Sequence, residues 1–317
     1  MTLAIIFLIL GLGVLIFGAE ILVRGSASMA KKWGISSIVI GLTVVAFGTS
    51  APELIVNIIS AVKGSADIAI GNIVGSNIAN ILLILGIASI IYPLNVKGNT
   101  VWKEIPFAIL AIVLVYTMGN DMLFDGVSHS AITRTDGFSL IAIFIIFMFY
   151  IFALSKAEGK PEHITTYSWR LSIIMTVGGL VCLFLGGKLL VDNAIILARI
   201  AGMSEALIGL TIVAVGTSLP ELATSIIAAM HHHDDIAVGN IVGSNIFNVF
   251  WILGLTGTML QLPFNPTANI DVLVGVGATV LLFVFMFIGR RNKVDRWQGI
   301  TFVTLYIIYT MYLIQRG

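Results

Sequence analysis

The segment GLTVVAFGTSAPEL at 41–54 returns as GLTIVAVGTSLPEL at 209–222, and DIAIGNIVGSNIANILLILG at 67–86 returns as DIAVGNIVGSNIFNVFWILG at 235–254. Both pairs stand 168 residues apart, and 29 of the 46 positions in 41–86 recur identically in 209–254. Shared apolar composition cannot produce this, because the matched residues include Glu, Asn, Ser, Thr and Pro. A self-similarity of this kind demands a fold with two equivalent halves.

The halves belong in a bilayer. Of the 317 residues 58% are hydrophobic and 10% charged, and the mean hydropathy is +1.05. That is more apolar surface than a water-soluble chain of this size can hide. A spanning helix needs ~20 mostly apolar residues, and the hydropathy blocks predict ten, at about 3–24, 36–62, 67–91, 104–119, 137–154, 170–192, 204–230, 235–261, 269–289 and 297–314. The first lacks a basic leader and reads as a span, not a signal peptide. A net charge of +1 gives no basic footprint for nucleic acid, and the single Cys182 excludes an intrachain disulfide framework.

The second copy is offset from the first by five spans. An odd number forces the second copy to enter the membrane from the opposite side, so the expected fold is all-α: ten transmembrane helices as two inverted five-helix repeats, 1–154 and 170–317, joined by a short linker at 155–169. Inverted repeats are an architecture of secondary transporters, whose sites lie near the midplane where broken helices meet. Lys and Arg in alternate loops divide 12 to 4, with Lys188 inside a span. The positive-inside rule then places both termini outside and the linker in the cytoplasm of a cell membrane. The linker is too short for a regulatory domain, and no obligate protein partner is evident beyond the lipid.

Glu53 and Glu221, repeat equivalents, are the two carboxylates expected deep within apolar spans. A charge at that depth costs at least ~3 kcal/mol even on lenient insertion scales, and apart from Lys63 at the end of the second span no Lys or Arg lies in the second, third, seventh or eighth span to offset it. A neutral, hydrogen-bonded glutamate is the structural alternative; a functional pair is the reading preferred. Each glutamate follows a proline in GTSxPE. Pro52 takes the helical donor from the Gly48 carbonyl, and Gly48 and Gly216 favour local unwinding there. Freed carbonyls at this depth must line a cavity or meet a cation. Thr49 and Thr217 fall at the midpoints of their spans. On the third and eighth spans Asn72, Ser76 and Asn80, and Asn240, Ser244 and Asn248, recur every four residues and so line one helix face. Asn72 and Asn240 read as interhelical hydrogen bonders, and Ser76, Asn80, Ser244 and Asn248 as lining the site. Gly71, Gly75, Gly239 and Gly243 fit close helix approach.

Every candidate ligand is an oxygen or amide donor, the set that hard cations take; the spans offer no imidazole for softer metals. Two glutamates carry a charge of −2, which one Ca²⁺ or a few monovalent ions would balance. Mutually exclusive occupancy of such a site is the minimal physics of antiport, and spacing alone does not name the ions. Elsewhere Glu20 with Arg24 and Lys188 with Asp192 are expected as i,i+4 salt bridges. His231, His232 and His233 are expected in a solvated turn, Asp67 and Asp235 as helix caps, and Cys182 as a packed small residue.

The paired GTSxPE and GNxxGSNI motifs resemble the alpha-repeats of the cation/calcium antiporter superfamily, and the ten-span form resembles its prokaryotic sodium/calcium exchanger branch. The resemblance implies a core of spans two, three, seven and eight, with the first and sixth as a long gating pair sliding across it. It implies Ca²⁺ held by Glu53, Glu221 and the carbonyls of Thr49 and Thr217, and Na⁺ held by Ala46 and Ser76 on one side and Ala214 and Ser244 on the other. Ser50 and Ser218 would add lining hydroxyls. Family members would exchange about three Na⁺ for one Ca²⁺ as transported substrates, without a resident cofactor. Both Asn80 and Asn248 are asparagine here, whereas exchangers often carry an aspartate at the position of Asn248; that argues against a potassium-dependent subtype and leaves proton coupling open. A Ca²⁺/H⁺ exchanger is the alternative transporter, a channel with a glutamate filter the alternative class. An intramembrane enzyme would want a serine, cysteine or histidine constellation that does not accompany the glutamates.

Overall fold

The computed structural model describes residues 1–157, 165–202 and 214–316; the side chains of 156, 157 and 214 are outside the described set. The chain forms α1 (Thr2–Trp33), α2 (Ser37–Thr49), α3 (Ala51–Val62), α4 (Ala66–Ile91), α5 (Thr100–Met118), α6 (Arg134–Ala157), α7 (Trp169–Ile200), α8 (Leu219–Met230), α9 (Asp234–Met259), α10 (Ala268–Phe285) and α11 (Arg296–Arg316). Among the described residues eight helices are long and apolar enough to cross a membrane, and α2 with α3, bent by 44° at their break, makes a ninth. Helix α8 is the described part of the expected seventh span; 204–213 lie outside the described residues. The protein is an all-helical, multi-pass membrane protein.

Burial separates core from periphery. In α9 94% of the membrane window is buried and in α4 78%, against 39% or less in the other six long helices. The two helices that carry GNIVGSNI are thus the centre of the molecule, and the apolar surfaces of the rest are left for lipid. Gly41, Gly239 and Gly243 let α2 and α9 touch: a Cβ on Gly243 would stand 2.8 Å from the Ala46 Cβ, and one on Gly239 3.1 Å from the Leu42 nitrogen. A Cβ on Gly71 or Gly75 meets nothing within 4 Å among the described residues; 206–213, the repeat equivalents of 38–45, lie outside that set.

Helices α1 and α7 are each 32 residues long, well past the expected ends near 24 and 192. Charge at Arg24 does not stop α1, which runs on through small residues to Gly34. There a left-handed φ of 68° lets the Gly34 and Ile35 N–H groups cap the carbonyls of Lys31 and Ala30. The pair packs along a glycine seam. A Cβ on Gly11 would lie 2.7 Å from the Leu190 nitrogen, on Gly18 2.8 Å from the Leu183 nitrogen, and on Gly186 2.6 Å from the Leu15 nitrogen. Only glycine admits such backbone contact.

Two features were not legible in the hydropathy. Two-residue antiparallel clips join the halves outside the helices, Leu94 opposite Val294 and Ile132 opposite Leu262. Glu104, expected at the edge of its span, is fully buried and accepts a hydrogen bond from the Tyr150 hydroxyl, so it is a buried carboxylate besides Glu53 and Glu221.

Candidate cation site

Both glutamates sit where a helix restarts. Ser50 (φ −83°, ψ 8°) separates α2 from α3, and Ser218 (φ −86°, ψ 6°) precedes α8. The break thus falls at the serine of GTSxPE, two residues past the glycine where unwinding was expected. Gly48 and Gly216 instead make room for Leu180 and Val191 of α7. Pro52 and Pro220 occupy the first turn of the new helix, where a missing N–H costs no hydrogen bond. Glu53 and Glu221 lie in that same turn, at the positive end of the half-helix dipole.

Each carboxylate is 1% exposed and is held by one serine from each half. Glu53 Oε1 accepts from Ser76 Oγ and from Ser218 Oγ, both at 3.3 Å. Glu221 Oε1 accepts from Ser50 Oγ at 2.9 Å and from Ser244 Oγ at 3.4 Å. The Ser218 and Ser76 hydroxyl oxygens lie 3.2 Å apart. One level out, Thr49 Oγ1 donates to Asn240 Oδ1 at 3.0 Å and Thr217 Oγ1 to Asn72 Oδ1 at 3.4 Å. The amides of Asn72 and Asn240 in turn donate to the carbonyls of Glu53 and Glu221, each at 3.4 Å. Asn72 and Asn240 therefore act as the interhelical bonders they were expected to be.

Four buried oxygens here, Glu53 Oε2, Glu221 Oε2, Asn80 Oδ1 and Asn248 Oδ1, have no hydrogen-bond partner among the described residues. A buried acceptor without a donor is costly, and for an anionic oxygen more so. Cations bound here would supply the missing partners. Among the described residues no cluster of three or more His, Cys, Asp or Glu forms, so the donor set suits a hard cation held by carboxylate, hydroxyl and amide oxygens.

Of the twelve expected residues, Glu53, Ser76 and Ser218 form one bonded group and Glu221, Ser50 and Ser244 a second, and Thr49 and Thr217 flank them. Asn80 and Asn248 lie one helical turn beyond Ser76 and Ser244. The Ala46 carbonyl already accepts the Ser50 N–H at 3.0 Å, which leaves it one lone pair. The Ala214 side chain is outside the described set. Sequence reasoning missed Asn77 and Asn245, which bond across the halves, and Ser225, which accepts from Asn240 at 3.0 Å. The signal for the first two was available, since both recur in GSN.

The histidine turn is not merely solvated. His231 Nε2 lies 2.7 Å from Glu20 Oε2 on α1, and the His232 ring stands against Tyr92 at 4.2 Å. Glu20 pairs with Arg24 as expected, but no ion pair joins Lys188 and Asp192 in the described structure. Asp235 pairs with Lys97 at 2.5 Å and does not cap its helix, and α4 likewise has no side-chain cap.

The family model for sodium/calcium exchanger protein matches residues 3–153 and 171–315. The chain belongs to this family. It is a cation/calcium exchanger, a transporter and not an enzyme. Sodium/calcium exchanger MaX1 of Methanosarcina acetivorans is 30% identical over 98% of this chain and 99% of its own. Inner membrane protein YrbG of Escherichia coli is 36% identical over 84% of this chain and 83% of its own. The solved structure of the sodium-calcium exchanger NCX_Mj soaked with zero Na⁺ and Ca²⁺ superposes with a TM-score of 0.84 at 33% identity, covering 98% of this exchanger and 99% of that chain. NCX_Mj has also been solved after soaking with Na⁺ together with Ca²⁺ or Sr²⁺.

Proposed function

We propose that this exchanger is a sodium/calcium antiporter in which one Ca²⁺ and a set of Na⁺ ions compete for the Glu53–Glu221 site. The observation that carries the reading is the pair of buried carboxylates, each with one oxygen bonded by serines and one without a partner among the described residues. Ca²⁺ between Glu53 Oε2 and Glu221 Oε2 balances the charge of −2, with the carbonyls of Thr49 and Thr217 completing its shell. Na⁺ is held to either side by Ser76 and Ser244, by Asn80 and Asn248, by the hydroxyls of Ser50 and Ser218, and by the remaining lone pairs of the Ala46 and Ala214 carbonyls. The names of MaX1 and NCX_Mj support sodium as the coupling ion.

In this reading the halves 1–154 and 170–317, joined by the cytoplasmic linker 155–169, alternate access by sliding α1 and α7 together across the core. Both termini face outward from the cell membrane. Inward Na⁺ drives Ca²⁺ out, and no resident cofactor takes part.

The test is radiolabelled Ca²⁺ uptake into proteoliposomes loaded with Na⁺ or with choline, at clamped pH and voltage. Uptake is expected only with internal Na⁺. Uptake driven equally well by an outward proton gradient without Na⁺ would assign the exchanger to Ca²⁺/H⁺ antiport, and conductance without countertransport would assign it to the channels.

A further inference from the structure

A carboxamide has two ends of opposite polarity and nearly equal size: its oxygen accepts and its nitrogen donates. An asparagine beside a cation helps only if the oxygen faces it, because the nitrogen offers N–H groups of the wrong sign. Asn80 and Asn248 face this choice, and the residues behind them make it.

The polarity starts from the backbone. Asn77 Nδ2 donates to the Asn245 carbonyl at 3.2 Å, and Asn245 Nδ2 donates to the Asn77 carbonyl at 3.3 Å. A peptide carbonyl only accepts, so each bond dictates which end of that side chain is nitrogen. Asn77 must then present Oδ1 to Asn248, whose Nδ2 donates to it at 2.9 Å. Asn245 likewise presents Oδ1 to Asn80 Nδ2 at 2.9 Å. The relay ends on Asn80 Oδ1 and Asn248 Oδ1, both buried and both without a partner among the described residues. Reversing Asn248 would set its oxygen against that of Asn77, and reversing Asn77 as well would set an oxygen against the Asn245 carbonyl. None of the four residues is more than 4% exposed, so water does not substitute for a lost donor. The arrangement is reciprocal across the two halves: Asn77 of the first repeat orients Asn248 of the second, and Asn245 of the second orients Asn80 of the first.

We propose that Asn77 and Asn245 are positioning residues for transport: through a polarity relay begun at each other's backbone carbonyls, they hold the amides of Asn248 and Asn80 with their oxygens open to the transported cation. This rests on the reading of Asn80 and Asn248 as cation ligands. The positioning residues themselves touch no cation.

A double-mutant cycle tests it, with the full-length protein in proteoliposomes and KM for Ca²⁺ and for Na⁺ read separately from maximal turnover. Asn77→Leu keeps the branched shape and removes both polar ends; it is expected to raise KM by about tenfold with little loss of turnover. In the Asn248→Ala background the same change is expected to have no further effect on KM, since no amide is left to orient. Equal losses in both backgrounds would make Asn77 a packing residue and overturn the positioning role while leaving Asn248 a ligand. An unchanged KM in Asn248→Ala alone would remove the ligand role and this proposal with it. If Asn77→Leu does not reach the membrane, the cycle of Asn245→Leu with Asn80→Ala carries the same expectation. The Ca²⁺-dependent rise in Tm of each purified variant reports affinity without transport, and it must show the same non-additivity.

Discussion

At the scale of single residues, the site depends on charge count before geometry. Glu53→Gln or Glu221→Gln leaves a site of −1, which Ca²⁺ overfills, while the carboxamide nitrogen adds a donor among oxygens that already lack one. Either change is expected to cut Ca²⁺ flux about a hundredfold or more, the equivalent of about 3 kcal/mol in cation binding. Near-normal exchange by either variant in the Na⁺-loaded proteoliposome assay would remove the paired-carboxylate mechanism. The four serines are a different case. Each bonds Oε1 and leaves Oε2 to the proposed cation, so in that reading they aim the glutamates as well as lining the site. Ser218→Ala removes the bond that reaches from the second half to Glu53, and it is expected to raise the KM for Ca²⁺ several-fold while leaving the fold intact. An unaltered KM would mean that Ser76 alone aims that carboxylate. The motif GTSxPE was legible as a pair in the sequence. Which serine serves which glutamate was not, because the partners are 165 and 171 residues apart.

At the scale of elements, breaks and contacts matter more than helix propensity. The prolines of GTSxPE were read as kinking a continuous helix, and they instead begin a second one. The reason is local: a proline in the first helical turn needs no donor, so the chain can place a carboxylate at a helix start without losing a hydrogen bond. The glycine seam between α1 and α7 makes the same point about packing. Gly11 and Gly179 are repeat equivalents, as are Gly18 and Gly186, and each contacts backbone of the other helix. Gly18→Val would drive a branched side chain into the Cys182 Cβ, 2.7 Å from where its own Cβ would stand. Overpacking of this kind costs about 3 kcal/mol. It is expected to lower the Tm of the purified exchanger by several degrees, whereas Gly13→Val, with nothing within 4 Å, is expected to leave it unchanged. Cys182 was correctly read as a packed residue, but the seam it belongs to required knowing which helix lies opposite.

At the scale of the whole molecule, symmetry is both the rule and the exception. The site obeys it: serine for serine, threonine for threonine, asparagine for asparagine across the halves. The end of α1 does not. Glu20 meets His231, while the repeat replaces these two by Lys188 and Lys63, two cations that cannot pair. The contact that ties α1 to the turn before α9 therefore has no counterpart at the other end of the exchanger. Orientation in the bilayer belongs to this scale as well. In a Cys182→Ser background, Ser128→Cys is expected to react with a membrane-impermeant maleimide in intact cells, and Thr166→Cys only after permeabilisation. The opposite pattern would invert the proposed topology.

Residence in the membrane, the duplication, its inversion and the repeat equivalence of Glu53 and Glu221 could all be settled from the sequence, because each is a property of order along the chain: runs of apolar residues, identities at a fixed offset and the parity of the spans between them. The serine exchange across the halves, the restart of the helices at Ser50 and Ser218, the burial of Glu104 and the relay from Asn77 and Asn245 were decided only by the tertiary structure. Each of these depends on which atoms meet when two separate stretches of chain are packed together, and a hydrogen bond of about 3 Å has no trace in one dimension until that packing exists.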